Sequence, residues 1–168
     1  LLLLLVPRHP DRGPAIAAAA TAAGFRAGRR GAGEAPAPAI QVQVGDTLGE
    51  MGLYYRLSDL VFLGGSLDVG RGGHNPIEPA LAGAAIVHGP DMANFVGIAE
   101  RLAAAGATET ARDAVAIAAA VGRLLDDPDE RRRRAESARS IAAVEAGALA
   151  ATRVALAPFL DRLGHARA

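Results

Sequence analysis

Residues 60–78 read Leu-Val-Phe-Leu-Gly-Gly-Ser-Leu-Asp-Val-Gly-Arg-Gly-Gly-His-Asn-Pro-Ile-Glu. Leu60 to Leu63 is a short apolar run, entered through Ser58-Asp59, and reads as a buried strand. A glycine-rich loop, Gly64 to His74, follows it. A helix opens at Asn75 and stops near Gly83, a natural C-terminal glycine. Strand, loop and helix in this order are one step of a parallel α/β sheet.

The same step recurs on both sides. Upstream, Leu1 to Val6 is apolar on both faces, as expected of a strand covered on both sides. Arg12 to Ala23 is Ala-rich and helical, with Gly24 as its stop. Phe25 to Arg30 is a weak strand, and Gly31 to Ala39, with Pro36 and Pro38, is a loop. Ile40 to Val44 alternates Ile-Gln-Val-Gln-Val and reads as a half-exposed strand; Leu48 to Leu57 is a helix. Downstream, Ala85 to His88 is a strand stopped by Gly89-Pro90. Asn94 to Ala105 is helical, Ala107 to Thr110 an edge strand and Ala114 to Leu125 a helix. After Asp126-Asp127-Pro128 the chain is Ala/Arg-rich and helical to about Arg162, with breaks expected near Gly147 and Pro158. The expected fold is α/β: a Rossmann-like, mostly parallel sheet with helices on both faces.

Composition narrows the chemistry. The 168 residues suit one domain with terminal helices, and 51% apolar residues allow a sizeable core. Eighteen basic residues balance eighteen acidic ones, so no global basic field for nucleic acid exists. Lys is absent, which removes a P-loop lysine and a Schiff-base lysine. Cys is absent, which removes disulfides, thiolate nucleophiles and Cys-ligated zinc. Aromatics, at 4%, are too few for a base-stacking platform. No apolar run reaches the ~18 to 20 residues that span a bilayer. The chain starts with Leu inside the first strand, so a fragment lacking an N-terminal part is expected.

In open parallel sheets, ligands bind at the carboxyl ends of the strands. The unusual residues follow strands: Pro7-Arg8-His9-Pro10, Gly45-Asp46-Thr47, Gly64 to His74, and His88-Gly89-Pro90. All four loops are expected on one sheet edge, lining a single crevice. Five glycines between 64 and 73 let backbone amides approach a ligand, and a phosphate is the natural guest. Asn75, Pro76 and Glu78 equally fit N-cap, N1 and N3 of a capping box. Glu78 as a ligand residue would accept hydrogen bonds from a ribose diol. Thr47 with Glu50 is a second capping-box candidate. Gly49 and Gly52 flank Glu50 and fit either a flat base against the backbone or close helix packing. Arg8 suits a bidentate grip on phosphate, or is simply solvated.

Other motifs fail. Gly31-Ala32-Gly33 lacks a third glycine and runs into prolines, so no dinucleotide fingerprint is present. His9, His74, His88 and His165 lack ligand spacing, and no metal site is expected. Ser66 and His74 have no nucleophile elbow around them. Arg131 to Arg134 reads as a solvated helix face, with an anionic partner or membrane surface as the other reading.

With these residues in hand, the sequence resembles the C-terminal half of the 3-deoxy-D-manno-octulosonic acid (Kdo) transferases. The resembling text is Val-Pro-Arg-His-Pro at 6–10, Gly-Asp-Thr-Leu-Gly-Glu-Met at 45–51, Phe-Leu-Gly-Gly-Ser-Leu at 62–67 and Gly-Gly-His-Asn-Pro-Ile-Glu-Pro at 72–79. His-Gly-Pro at 88–90 with Asn94-Phe95 continues it, so the match runs in order to about residue 105. The resemblance implies a GT-B glycosyltransferase of two facing Rossmann-like domains. Residues 1–128 would form the nucleotide-sugar-binding domain and 129–168 the C-terminal helices. The implied donor is CMP-Kdo, held by Pro7 and Arg8, by Gly49, Glu50 and Met51, and by Asn75, Pro76, Ile77 and Glu78. Gly64, Gly65, Ser66, Gly72, Gly73 and His74 would form a supporting loop.

The implied reaction transfers Kdo to a lipid A precursor in lipopolysaccharide biosynthesis, with inversion and with neither cofactor nor metal. The catalytic base, a glutamate, and the acceptor surface would lie in an N-terminal domain, so no catalytic residue is expected here and the chain alone should transfer nothing. The implied location is the cytoplasmic side of the bacterial inner membrane, with this fragment itself soluble. A UDP-sugar-dependent GT-B domain and a nucleotide-binding module without transfer activity are the other readings.

Overall fold

The structure, a computed structural model, describes residues 1–165. The chain divides into two compact units, Leu1–Leu57 and Ser58–Ala168. Each holds a three-stranded parallel sheet, where a single sheet was expected.

In the first unit, β1 (Leu3–Leu5) and β2 (Ala27–Arg29) flank a central β3 (Val42–Val44), and α1 (Gly13–Ala22) packs against β2 and β3. The short α2 (Met51–Arg56) closes the unit. The two strand expectations here need correction. β1 is an edge strand, and Leu3 at its start is half exposed. The alternating strand is the buried one: Val42 is 3%, Gln43 2% and Val44 0% exposed. Pairing on both sides makes β3 central, and the Gln43 amide nitrogen donates to the Glu34 carbonyl (3.0 Å) instead of to water.

In the second unit, β5 (Ala85–His88) is central between β4 (Leu60–Leu63) and β6 (Thr108–Thr110). Strand alternation feeds two cores. Val61, Leu63 and Ile86 face one that holds Ala80 of α3 (Ile77–Ala82), Ile98 and Leu102 of α4 (Val96–Ala104), and Ala138 and Ala142 of α6 (Pro128–His165). Leu60, Phe62 and Val87 face the other, with Ala120 and Leu124 of α5 (Ala114–Asp126). Successive residues of a strand point to opposite faces, so this sheet is covered by helices on both. Burying Ile86 and Leu102 completely contributes roughly 1.5 to 3 kcal/mol each.

The C-terminal segment is one helix. α6 passes through Gly147 and Pro158, where breaks were expected. Its alanine-rich turns have high helix propensity and carry it across both positions. Among the described residues no helix is long and apolar enough to cross a membrane.

Candidate functional site

The first unit gathers charge at one sheet edge. In the register, Leu5, Val44 and Arg29 lie side by side, so the three chains leave the sheet together. Pro7-Arg8, Asp46 to Glu50 and Arg30 all follow these strand ends. Asp46 is 6% exposed and accepts from Arg29 Nε (2.9 Å), Arg29 Nη2 (2.7 Å) and the Gly31 amide (2.7 Å). Burial alone would raise its pKa; the Gly31 amide and Arg29 outweigh that and lower it. Its carboxylate fills the space where Gly13, at the start of α1, would carry a side chain.

Glu50 is held just as firmly. Arg30 Nη2 donates to Glu50 Oε1 (2.8 Å), Arg30 Nε lies 3.2 Å from Oε2, and the Thr47 hydroxyl donates to Oε2. Arg30 first and then Thr47 lower the Glu50 pKa to about 2. The Thr47–Glu50 capping box therefore takes another form. α2 starts at Met51, and Thr47 bonds the Glu50 side chain rather than a helix amide. Gly49 lies before the helix with φ 82°, and nothing lies within 4 Å of the place a Cβ would occupy. Its requirement is the left-handed backbone, not close packing. Arg8 is exposed and has no hydrogen-bond or ion-pair partner among the described residues.

The second unit places Gly64 to His74, Gly89-Pro90 and Ala111 beyond the ends of β4, β5 and β6, with His88 as the last residue of β5. Ser66 is fully buried; its hydroxyl donates to the Leu63 carbonyl (2.6 Å) and accepts from the Gly89 amide (2.7 Å). That role is structural, and the nucleophile reading has no geometry behind it. The amides expected to await an anion already hold one from the chain itself. Asp91 Oδ2 accepts from Gly70 (2.7 Å), Arg71 (3.0 Å) and Gly72 (2.9 Å), and Oδ1 accepts from Ala93 (3.2 Å). The Gly72 and Ala93 amides are the main causes that lower the Asp91 pKa.

The His74 ring lies against Gly64 and Gly65; a Cβ on Gly65 would sit 3.3 Å from Nε2. α3 begins one residue later than expected, with Pro76 at the N-cap position. Asn75 still caps it, since Asn75 Oδ1 accepts from the Ile77 amide (3.0 Å) and Nδ2 donates to Glu78 Oε1 (3.3 Å). Glu78 is exposed in the first turn of α3. Pro76 is buried, and Ile77 packs against the core.

Arg30 and Asp91 escaped the sequence reading, and Asp46 entered it only as part of a loop after a strand, without a role of its own. Each sits just beyond a strand end, which was the only signal for it. The arginine run is split: Arg132 and Arg133 are exposed, as a solvated face would have them, while Arg131 and Arg134 are partly buried. Arg131 bonds the Leu124 carbonyl (2.7 Å), Arg132 pairs with Asp129, and Arg134 pairs with Glu130 (2.8 Å). Among the described residues no cluster of three or more His, Asp or Glu could hold a metal ion.

No family model matches the chain. The 3-deoxy-D-manno-octulosonic acid transferase of Bordetella pertussis is 42% identical over 160 residues, covering 95% of this chain and 37% of that protein. The Haemophilus influenzae transferase of the same name is 38% identical over 163 residues, 96% of this chain and 38% of its own length. The chain thus spans under two fifths of these relatives. The solved C-terminal CMP-Kdo binding domain of WaaA from Acinetobacter baumannii superposes with TM-score 0.80 at 30% identity, over 84% of this chain and 73% of that domain. With this shared Rossmann-like α/β fold and these relatives, the chain belongs to the 3-deoxy-D-manno-octulosonic acid transferase family.

Proposed function

We propose that this chain binds CMP-Kdo as the donor domain of an inverting GT-B glycosyltransferase that delivers Kdo to a lipid A precursor in lipopolysaccharide biosynthesis. The observation that carries the reading is the likeness to the solved CMP-Kdo binding domain, at 30% identity and TM-score 0.80.

The proposed donor contacts are Pro7, Arg8, Gly49, Glu50 and Met51 in the first unit and Asn75, Pro76, Ile77 and Glu78 in the second. Two of them, Arg8 and Glu78, are exposed charged side chains, which suits the role. Arg8 is unpaired among the described residues and leaves its guanidinium for the phosphate; Glu78 leaves a carboxylate for the ribose hydroxyls. Glu50 differs, because Arg30 and Thr47 have fixed its orientation in advance.

In transfer, an acceptor hydroxyl oxygen bonds to the anomeric carbon of Kdo as the bond from that carbon to the phosphate oxygen breaks. The electron pair leaves with CMP, and the hydroxyl proton passes to a base supplied from outside this chain. Arg8 stabilises the charge growing on the leaving phosphate. Neither metal nor cofactor enters this reading, which places the whole enzyme at the cytoplasmic face of the inner membrane.

Calorimetric titration of the chain with CMP, UMP and UDP tests the proposal. Binding of CMP with at least about tenfold preference over both uridine nucleotides is expected. Equal or tighter uridine nucleotide binding would contradict it.

A further inference from the structure

We propose that Asp91 is a positioning residue for the donor, acting through the Gly64 to Asn75 loop; this rests on the donor-binding reading. Asp91 ties the loop at two places. Its amide donates to the Ser66 carbonyl (2.9 Å), near the loop's start. Its carboxylate gathers the Gly70, Arg71 and Gly72 amides, near the loop's end. Gly72 is three residues from Asn75, a proposed donor contact.

The surrounding contacts leave the loop few alternatives. The Gly73 amide donates to the Gly65 carbonyl (2.9 Å), and the Asn94 amide donates to the Gly72 carbonyl (3.1 Å). A Cβ on Gly73 would sit 2.5 Å from Met92 Sδ and 3.0 Å from the Asp91 carbonyl oxygen, and φ there is +72°. Asp91 therefore sets the path along which Gly73 and His74 deliver Asn75 to α3. Three convergent amides would otherwise form an anion-binding concavity of their own. With Asp91 in that concavity, the loop is ordered before any ligand arrives, and donor binding need not supply the ordering free energy.

The test compares Asp91→Asn with the unchanged chain. Asparagine preserves size but presents an amide N–H group and a weaker acceptor to the same donors. Two readouts are taken on folded protein, well below its thermal midpoint: amide exchange by NMR and CMP affinity by calorimetry. Asp91→Asn should speed exchange at Gly70, Arg71 and Gly72 and weaken CMP binding about tenfold. A role confined to global stability would lower the midpoint and leave the affinity of the folded protein unchanged.

If the unchanged chain binds CMP and Asp91→Asn binds it within about twofold, the positioning role is wrong while the donor reading stands. If the unchanged chain does not bind CMP, both fall. Should Asp91→Asn fail to fold, the unchanged chain decides. Exchange at Gly70 to Gly72 must already be slow in the absence of CMP, and rapid exchange there overturns the role.

Discussion

Arg30 and Glu50, twenty residues apart, meet at the carboxyl edge of the first sheet with Nη2 2.8 Å from Oε1. A residue of the proposed donor site is thus already engaged by a cation of its own chain. The pair is partly exposed, with 50% and 24% of the two side chains accessible, so its worth lies more in orientation than in stability.

The Glu50 pKa falls from an ordinary 4.5 to about 2 in the folded protein. A depressed carboxylate pKa contributes stability above the unfolded value, and that contribution is lost as pH falls through the folded one. Replacing Glu50 by Gln should therefore flatten the decline of the thermal midpoint between pH 4.5 and 2. Asp46 and Asp91 also have lowered pKa values, so part of the slope will remain. A profile of the midpoint against pH for both proteins checks this, and superimposable profiles would exclude the Arg30–Glu50 effect.

Asp46 should matter far more to stability than Glu50. Its side chain is only 1% exposed and serves both Arg29 and the Gly31 amide. Asp46→Asn should cost about 2 to 3 kcal/mol, because a buried partner is lost while Arg29 keeps some solvent. Urea denaturation of the two proteins measures this; a cost under about 0.5 kcal/mol would show that the pairing is dispensable.

The Ser66–Gly89 contact gives a graded pair of substitutions. Ser66→Ala leaves the Gly89 amide buried without an acceptor and should cost about 1 to 3 kcal/mol. Gly89→Ala should cost more, about 3 kcal/mol or above, because its methyl would overlap the Ser66 carbonyl and approach Leu67 N to 2.7 Å. These neighbours are backbone and cannot rotate away. Denaturation midpoints showing Gly89→Ala to be the milder change would refute this packing.

Much of the architecture was legible where local punctuation marks it. Leu60 to Leu63 came out as read, because Ser58-Asp59 and Gly64-Gly65 bound a pure apolar run. Gly83 ends α3 at φ 88°, as a C-terminal glycine should. Strand rank was illegible, because centrality depends on partners distant in sequence. The leucine run at the N-terminus looked the most buried and is an edge, while Gln43 looked exposed and is buried.

The site divides in the same way. Loops follow strand ends, so Arg8, Glu50, Asn75 and Glu78 could be placed beyond strands from the sequence. What those residues touch could not be. Asp91 lies nineteen residues from the Gly72 amide it binds, and only folding brings a carboxylate into the glycine loop. Composition suggested free amides; the fold shows several of them committed.

The central claim is donor-nucleotide binding through these residues, and Arg8 probes it most directly. Its exposed side chain has no partner among the described residues, so Arg8→Ala should leave the thermal midpoint within about 1 °C, in line with a near-neutral surface change. Calorimetry with CMP should then show affinity reduced about tenfold to a hundredfold, the loss of a charge-assisted contact to phosphate, with cytidine affinity unchanged. Unaltered CMP affinity in a folded Arg8→Ala protein would contradict the account.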